Sequence, residues 1–239
     1  VNAGSVRNRG LEFNITSQNI TKGKFNWETN FNMAFNRNKV LELSDGASVF
    51  NQGARQPIAV GYDMDEFNLP IWAGVDPANG DPLWEKIIKD QTGVITKTTT
   101  NVYSEAATSD SRQFTGKSAA PKFTGGMNNS LRYGDFSFSA FFNFVSGNYV
   151  YNDTRVYFDS DGLYEAFNSM VPKSDWTRWE KPGDIATHPK AIVGGNKESS
   201  QTSSRFLEDG SYIRLRNVRL GYDLPQSALK RIGLSRVNF

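Results

Sequence analysis

The sequence lacks cysteine altogether and has a single histidine, His188, among its 239 residues. Without cysteine, the chain can form neither a disulfide framework nor a metal site built on thiolates. A Ser-His-Asp triad or a histidine-based metal site would have to use His188, which stands before Pro189 in a segment without strand patterning. We therefore interpret His188 as a loop residue, and the sequence predicts no catalytic residue, metal ion or cofactor.

Long apolar runs and an excess of charge of one sign are also missing. The 27 basic and 25 acidic residues leave a net charge of +2, which gives no electrostatic basis for binding nucleic acid. No segment approaches the ~18 consecutive apolar residues of a membrane helix. The opening segment Val1–Gly10 has no apolar run that would form a signal peptide. A β-barrel is the only membrane-spanning structure that the sequence leaves open.

Aromatic residues are abundant, at 13% of the chain, and they alternate with small polar residues. The clearest alternation covers 25–36, where one set of side chains is apolar, namely Phe25, Trp27, Thr29, Phe31, Met33 and Phe35. The other set is mostly polar and comprises Asn26, Glu28, Asn30, Asn32, Ala34 and Asn36. A run of this length reaches the ~9–11 residues that cross a membrane at a tilt, whereas strands in general are most often only ~5–6 residues long.

Similar patterns predict an all-β fold of long antiparallel strands. One hairpin is predicted from Leu83–Lys89 and Val94–Tyr103, and another from 121–133 and 135–145 around Gly134. A last long strand is predicted from Arg205 to Leu224. Short helical segments are predicted at 163–170 and 226–232, and a further strand begins at Leu234.

The last long strand changes phase in its middle. Its apolar residues stand at odd positions first and at even positions afterwards: Ile213 and Leu215, then Val218, Leu220 and Tyr222. A regular strand cannot place both sets on one face, because a slip of one residue inverts every side chain. We therefore predict a β-bulge near Arg216 and Asn217, where one extra residue restores the phase.

The segment 148–204 is far longer than an ordinary connection and predicts a functional loop. Asp159, Asp161 and Glu165 lie around Gly162 without the full spacing of a calcium loop, so a turn followed by the start of a helix is predicted there. The loop is rich in rings, and four of them are candidate contacts for a substrate or partner: Trp176, Trp179, Tyr157 and Tyr164. The alternative is that these rings form a small core of the loop itself.

Several motifs, in order along most of the chain, resemble the SusC/RagA family of TonB-linked outer-membrane proteins. The early ones are Gly10–Phe13, Phe25–Trp27, Phe31–Val40, Ala73–Pro77 and Gly80–Trp84. The later ones are Pro121–Gly126, Asp135–Phe144 and Arg205–Asn217, followed by Leu220–Tyr222 and Leu224-Pro225.

The resemblance implies a 22-stranded transmembrane β-barrel in the outer membrane of a Gram-negative bacterium. It also implies an N-terminal plug, energy delivered by TonB, a SusD-like surface lipoprotein as partner, and import of oligosaccharides or peptides. On this interpretation residues 1–239 are a partial C-terminal barrel domain, cut at both ends, with TonB contacted through the missing N-terminal part. Residues 148–204 would be a long extracellular loop, and the outer strand faces would contact membrane lipid.

Two other classes of protein compete with this interpretation. The alternation alone is also compatible with a soluble glycan-binding β-sandwich, and a carbohydrate-active enzyme is the third candidate. Strand length favours the barrel over the sandwich. The single histidine and the lack of a nucleophile motif count against the enzyme.

Overall fold

The computed structural model describes residues 4–166 and 173–225, which form mainly antiparallel strands. The long strands are β1 (Gly4–Lys22), β2 (Phe25–Leu43), β10 (Phe123–Tyr133), β11 (Phe136–Ser146) and β14 (Tyr212–Tyr222). The shorter strands are β3 (Val49–Phe50), β4 (Ile58–Ala59), β5 (Glu66–Leu69), β6 (Trp72–Val75), β7 (Pro82–Lys89), β8 (Ile95–Thr100), β9 (Gln113–Ser118), β12 (Tyr149–Tyr151) and β13 (Leu207–Asp209). Two short helices are α1 (Tyr103–Ala106) and α2 (Asp153–Phe158), with 3₁₀ turns at Ser44–Gly46 and Ser204–Phe206.

The chain divides into two compact units. Among the described residues, the sheet unit comprises Arg7–Asn38, Ala120–Asn148 and 210–225. The loop unit comprises chiefly Lys39–Ala119 and Tyr149–Asp209. Among the described residues, no helix is long and apolar enough to cross a membrane.

The sheet unit is one five-stranded sheet in the order β1-β2-β10-β11-β14. A tight turn at Gly23 joins β1 to β2, and a tight turn at Gly134 joins β10 to β11. Both glycines have a positive φ, of +60° and +58° respectively. At the same end of the sheet, Tyr222 of β14 pairs with Phe136. The two long segments 44–122 and 147–211 leave the sheet at the opposite end.

The strand register gathers the apolar side chains on one face of this sheet. Directly paired residues project to the same face, and Phe31 pairs with Met127, which in turn pairs with Phe142. The same face continues through Trp27, Leu131, Phe138 and Leu220. The opposite face carries Asn26, Glu28, Asn30, Ser130, Arg132, Ser137, Ser139 and Arg219.

The predicted β-bulge is confirmed in β14. Phe141 pairs with Asn217 and the next residue, Phe142, pairs with Leu215, so that Arg216 has no partner in the ladder. The extra residue keeps Leu215 and Val218 on the apolar face although they stand three positions apart.

Both predicted hairpins are confirmed. β7 pairs with β8 from Trp84 opposite Thr100 to Lys89 opposite Ile95, and β10 pairs with β11 along their whole length. The predicted strand from Arg205 to Leu224 is wrong in one respect, because it is interrupted before Tyr212. The cause is a change of partner: β13 pairs with β12, whereas β14 pairs with β11.

The prediction of a helix at 163–170 is wrong for residues 163–166, which form turns. Residues 167–170 lie outside the described residues. The observed helix α2 begins earlier, where the Asn152 side chain accepts a hydrogen bond from the Arg155 backbone N–H. The predictions for 226–232 and for a strand from Leu234 also lie outside the described residues.

The loop unit has two small apolar centres. Phe67, Leu69 and Leu207 are buried together and are flanked by Tyr149 and Tyr151. The second centre is Trp84, which is fully buried and meets the edges of Trp72 and Tyr103. The first centre links a segment that precedes β10 with segments that follow β11, and the two long excursions belong to one compact unit.

Candidate functional site in the loop unit

A buried ion pair lies at the centre of the segment 149–209. The Arg205 guanidinium donates through Nη1 to Oδ2 of Asp161, and the two side chains are only 3% and 0% exposed. Asp161 also accepts hydrogen bonds from Ser199 at 2.7 Å and from Arg178 at 2.8 Å. Its backbone has a φ of +53°, which only a few non-glycine residues adopt and which Asp tolerates better than most. The carboxylate is therefore well compensated for its loss of water.

Asp159 forms a second centre beside the first. Its carboxylate contacts Arg155 at 2.8 Å, Arg205 at 3.3 Å and Nε2 of His188 at 3.0 Å. Because an ionised carboxylate can only accept, Nε2 of His188 carries the proton of this contact. Nδ1 of His188 lies 2.8 Å from the Thr187 hydroxyl, so both ring nitrogens have partners.

The surroundings lower the pKa of Asp159. Burial by itself raises the pKa of this carboxyl, but the hydrogen bond from His188 and the charge of Arg205 lower it by more. The result is a pKa below the usual 3.8, so that the carboxylate is ionised at neutral pH.

Trp176 covers this cluster. Its ring centroid lies 4.7 Å from that of His188, and the Arg155 guanidinium carbon lies 4.5 Å from the ring centroid. Lys173 approaches the same ring at 5.0 Å. Trp176 is only partly buried, so it combines a supported ring with an accessible surface.

Trp179 occupies a different position from Trp176. It is 8% exposed, donates through Nε1 to the Pro77 carbonyl at 3.0 Å, and packs directly on Gly80. A Cβ at Gly80 would come within 2.5 Å of the Trp179 ring. This burial fits the alternative in which the ring anchors its own loop.

The two predicted tyrosines form a pair. The rings of Tyr157 and Tyr164 have centroids 5.1 Å apart, and Tyr157 is 48% exposed. The structure thus pairs Tyr157 with Tyr164, places Trp176 over the ion-pair cluster and buries Trp179 elsewhere.

The ion pairs of this cluster hold the segments of the loop unit together. Three guanidiniums, from Arg155, Arg178 and Arg205, face three carboxylates, of Asp159, Asp161 and Glu208. Within residues 4–166 and 173–225, no group of His, Asp or Glu side chains is arranged to hold a metal ion.

Sequence reasoning missed this network. It treated His188 as an ordinary loop residue and Asp159 and Asp161 as part of a turn. The contacts to Arg205 cross 44 or more residues, so no local spacing indicates them. The available signal was the pair of aspartates together with Arg205, the first residue of the motif Arg205–Asn217.

The sheet unit defines a class of structure. Long antiparallel strands, tight turns at one end, long segments at the other and an exposed apolar face are features of outer-membrane β-barrel walls. More particularly, the chain is similar over nearly all its length to TonB-dependent receptors, SusC among them, which confirms the SusC/RagA resemblance.

The similarities are as follows. The chain is 32% identical to TonB-dependent receptor P3 of Formosa agariphila, over 99% of this chain and 23% of that protein. It is 24% identical to TonB-dependent receptor SusC of Bacteroides thetaiotaomicron, over 92% of this chain and 21% of that protein. Among solved structures, the RagAB peptide transporter matches with a TM-score of 0.76 and 25% identity, over 95% of this chain and 24% of that chain. No family model matches the chain.

The chain therefore spans a quarter or less of the length of the curated relatives it matches. These relatives are named as receptors, and the matching structure as a transporter.

Proposed function

We propose that this chain is part of the wall and outer loops of a TonB-dependent transporter in the outer membrane of a Gram-negative bacterium. The transporter takes up oligosaccharides or peptides together with a SusD-like surface lipoprotein, and TonB acts through a part of the protein outside this chain. Residues 1–239 then form a partial barrel domain in which 148–204 is an extracellular loop. The role is transport and not catalysis.

The observation that carries this proposal is the two-faced sheet. On its apolar face Ile213 and Leu220 are 79% and 74% exposed, and Leu215, Val218 and Phe136 are more than half exposed. Each such side chain left in water would forgo roughly 1.5–3 kcal/mol of burial. A contiguous face of this kind marks a surface that lipid or a partner covers.

The length of three of the strands supports lipid as the cover. β10, β11 and β14 have 11 residues each, which at ~3.3 Å per residue and a tilt of ~40° spans about 28 Å. This length is close to the ~25 Å apolar band of outer-membrane barrels. The soluble β-sandwich lacks comparable support, since its strands are typically about half as long.

The same topology supports an extracellular position for the long segments. Outer-membrane barrels have short periplasmic turns and long extracellular loops. The turns at Gly23 and Gly134 would then be periplasmic, and 44–122 and 147–211 would emerge outside.

Trp176, Tyr157 and Tyr164 are the proposed contacts for the lipoprotein or substrate in that outer region. Tyr157 is about half exposed, Tyr164 and Trp176 are partly exposed, and the Trp176 ring contacts Arg155 and His188. Trp179 is buried, so we propose that it supports this contact surface without touching the lipoprotein or substrate itself.

An uptake experiment tests the proposal. Cells producing the full-length protein should accumulate a labelled oligosaccharide or peptide only when TonB and the lipoprotein are present. A matched variant in which 149–209 is replaced by a short linker should reach the outer membrane and lose uptake. If the protein fractionates without the outer membrane, or uptake continues in cells lacking TonB, the proposal is wrong.

A further inference from the structure

The apolar face of the sheet unit ends in arginines on the side from which the long segments leave. Arg7 and Arg9 of β1 and Arg37 of β2 lie there, and all three are exposed. Phe13 of β1 meets Phe35 of β2 edge-on, with ring centroids 6.3 Å apart, so these rings share the apolar face. Side chains two residues apart along a strand lie on the same face. Arg7 and Arg9 therefore lie on the face of Phe13, and Arg37 lies on it beside Phe35.

Arg9 and Arg37 are neighbours across the two strands. A Cβ at Gly10 would lie 3.6 Å from the Cα of Asn36, which makes these two residues a cross-strand pair. The next pair outward is then Arg9 and Arg37. Like charges placed opposite each other on one face destabilise a sheet. In the part of the chain that the structure describes, no carboxylate forms an ion pair with either arginine or with Arg7. An anion bound between the arginines would remove this repulsion.

The guanidinium of Arg37 is already held in position. Its Nη1 donates to the backbone carbonyls of Asn36 at 2.7 Å and of Lys122 at 2.9 Å. A guanidinium has five N–H donors, so Nε and Nη2 remain available to a ligand. This planar arrangement of donors matches the oxygens of a phosphate group. Since the main chain fixes the group, it loses little freedom when it binds.

A row of aromatic rings at the opposite end of the face shows how deep the arginines lie. Four adjacent strands each contribute one ring to this row: Phe25, Tyr133, Phe136 and Tyr222. Aromatic rings of this kind mark the boundary between membrane and water. Phe35 follows Phe25 by ten residues, which at ~3.3 Å per residue and a tilt of ~40° is about 25 Å, the height of the apolar band of an outer-membrane barrel. Arg37 then lies about 5 Å beyond the band, at the level of the lipid headgroups.

From this pairing and this depth we infer that Arg9 and Arg37, with Arg7 beside them, bind the phosphate of a phosphorylated glycolipid in the outer leaflet. The acyl chains of the lipid lie along the face below, where Leu11 and Phe13 are 65% and 47% exposed. A further strand paired with the free edge of β1 would leave this site open, because side chains project perpendicular to the sheet. The inference rests on the proposed function, because the apolar face must lie in the membrane with its arginine end outside.

Native mass spectrometry of the purified full-length transporter in mild detergent tests the site. The probes are monophosphoryl lipid A, the same lipid with its phosphate removed, and inorganic phosphate as a competitor. The test variant combines Arg9→Gln and Arg37→Gln. Arg214→Gln is the matched control, because Arg214 pairs with Asn143 on the polar face of the same sheet. Both variants are first checked for normal barrel assembly.

We expect the wild type to bind monophosphoryl lipid A at least roughly tenfold more tightly than the dephosphorylated lipid, and the double variant to lose this preference. The Arg214 control should keep it. The site is refuted if the wild type binds both lipids equally, if the double variant retains the preference, or if the control loses it to the same extent.

Inorganic phosphate distinguishes the lipid from the free ion. In excess it should displace little of the lipid, because it gains nothing from the apolar side chains below the arginines. Complete displacement would assign the arginines to free phosphate and refute the lipid.

A separate measurement distinguishes this failure from failure of the proposed function. A spin label in place of Phe13 is placed in the full-length protein and reconstituted in lipid. If the label reports lipid but the wild type shows no preference for the phosphorylated probe, the site alone is wrong. If the label reports water, the apolar face does not lie in the membrane and the proposed function is wrong as well.

Discussion

Arg205 and Asp161 form an ion pair from which water is almost completely excluded, with side chains 3% and 0% exposed. The pair joins the approach to β13 with the turn that follows α2. A buried pair of this kind adds modest net stability, but removal of one partner leaves an uncompensated charge. The integrity of the loop unit should therefore depend strongly on both residues.

Arg205→Leu should destabilise the loop unit by about 3–5 kcal/mol, because it removes the most deeply buried cation from two buried carboxylates, Asp159 and Asp161. Arg178→Leu is the matched control: Arg178 also binds Asp161, but its side chain is 38% exposed, and a cost near 1 kcal/mol or less is expected. Hydrogen exchange across 149–209 in the full-length protein measures both effects. Equal loss of protection in the two variants would contradict this ranking.

Asp159 should make the loop unit sensitive to acid. Its pKa is lower in the folded state than in the unfolded state, so its stabilising contribution is present above about pH 4 and is lost as pH falls through the folded pKa. The difference in stability between the wild type and Asp159→Asn should thus be constant near neutral pH and shrink below about pH 4. A difference that stays the same down to pH 2, in hydrogen exchange or proteolysis, would show that the carboxylate is not stabilised in this way.

Gly80 should tolerate no side chain, because Trp179 lies directly on it. Gly80→Ala combines a φ of +77° with a contact of 2.5 Å to the Trp179 ring. Gly61→Ala provides the control, since Gly61 has a φ of +93° but open space around it. We expect the Gly80 variant to cost at least about 1–3 kcal/mol more, measured by thermal unfolding of the loop unit. Similar losses of stability in the two variants would mean that backbone strain, and not the contact with Trp179, accounts for the cost of Gly80→Ala.

Trp176→Ala and Trp179→Ala should separate contact from anchoring. Loss of Trp176 should weaken uptake or lipoprotein association while barrel assembly stays normal, because the ring is partly exposed above the ion pairs. Loss of Trp179 should reduce the stability of the loop unit by roughly 3–5 kcal/mol, with uptake changing as a consequence. Normal uptake and normal lipoprotein association in the Trp176 variant would show that Trp176 is not part of the contact surface.

The sequence predicts the sheet unit well because its information there is local. A period of two over 25–36 defines the strand and its faces, and the phase change after Leu215 reveals the bulge. The turn at Gly134 likewise defines the hairpin of β10 and β11. In each case neighbouring residues determine the outcome.

The loop unit was less predictable because its contacts are long in sequence. The strand expected to continue through 205–224 is interrupted because Leu207–Asp209 pairs with Tyr149–Tyr151, a partner that alternation cannot identify. Asp159, Asp161 and Arg205 meet only in the folded chain, and their burial as charged residues runs against expectation from composition.

The most direct test of the account is the environment of two adjacent positions on β2. Phe31 lies on the apolar face, opposite Met127, and Asn32 lies on the same face as Asn30 and Glu28, which pair with Asn128 and Ser130. Spin labels at these positions in the full-length protein, reconstituted in lipid, can be compared for their accessibility to oxygen and to a water-soluble nickel complex. We expect the label at position 31 to report lipid and the label at position 32 to report water. The reverse result, or water at both positions, would contradict the assignment of this sheet to a membrane-spanning barrel wall.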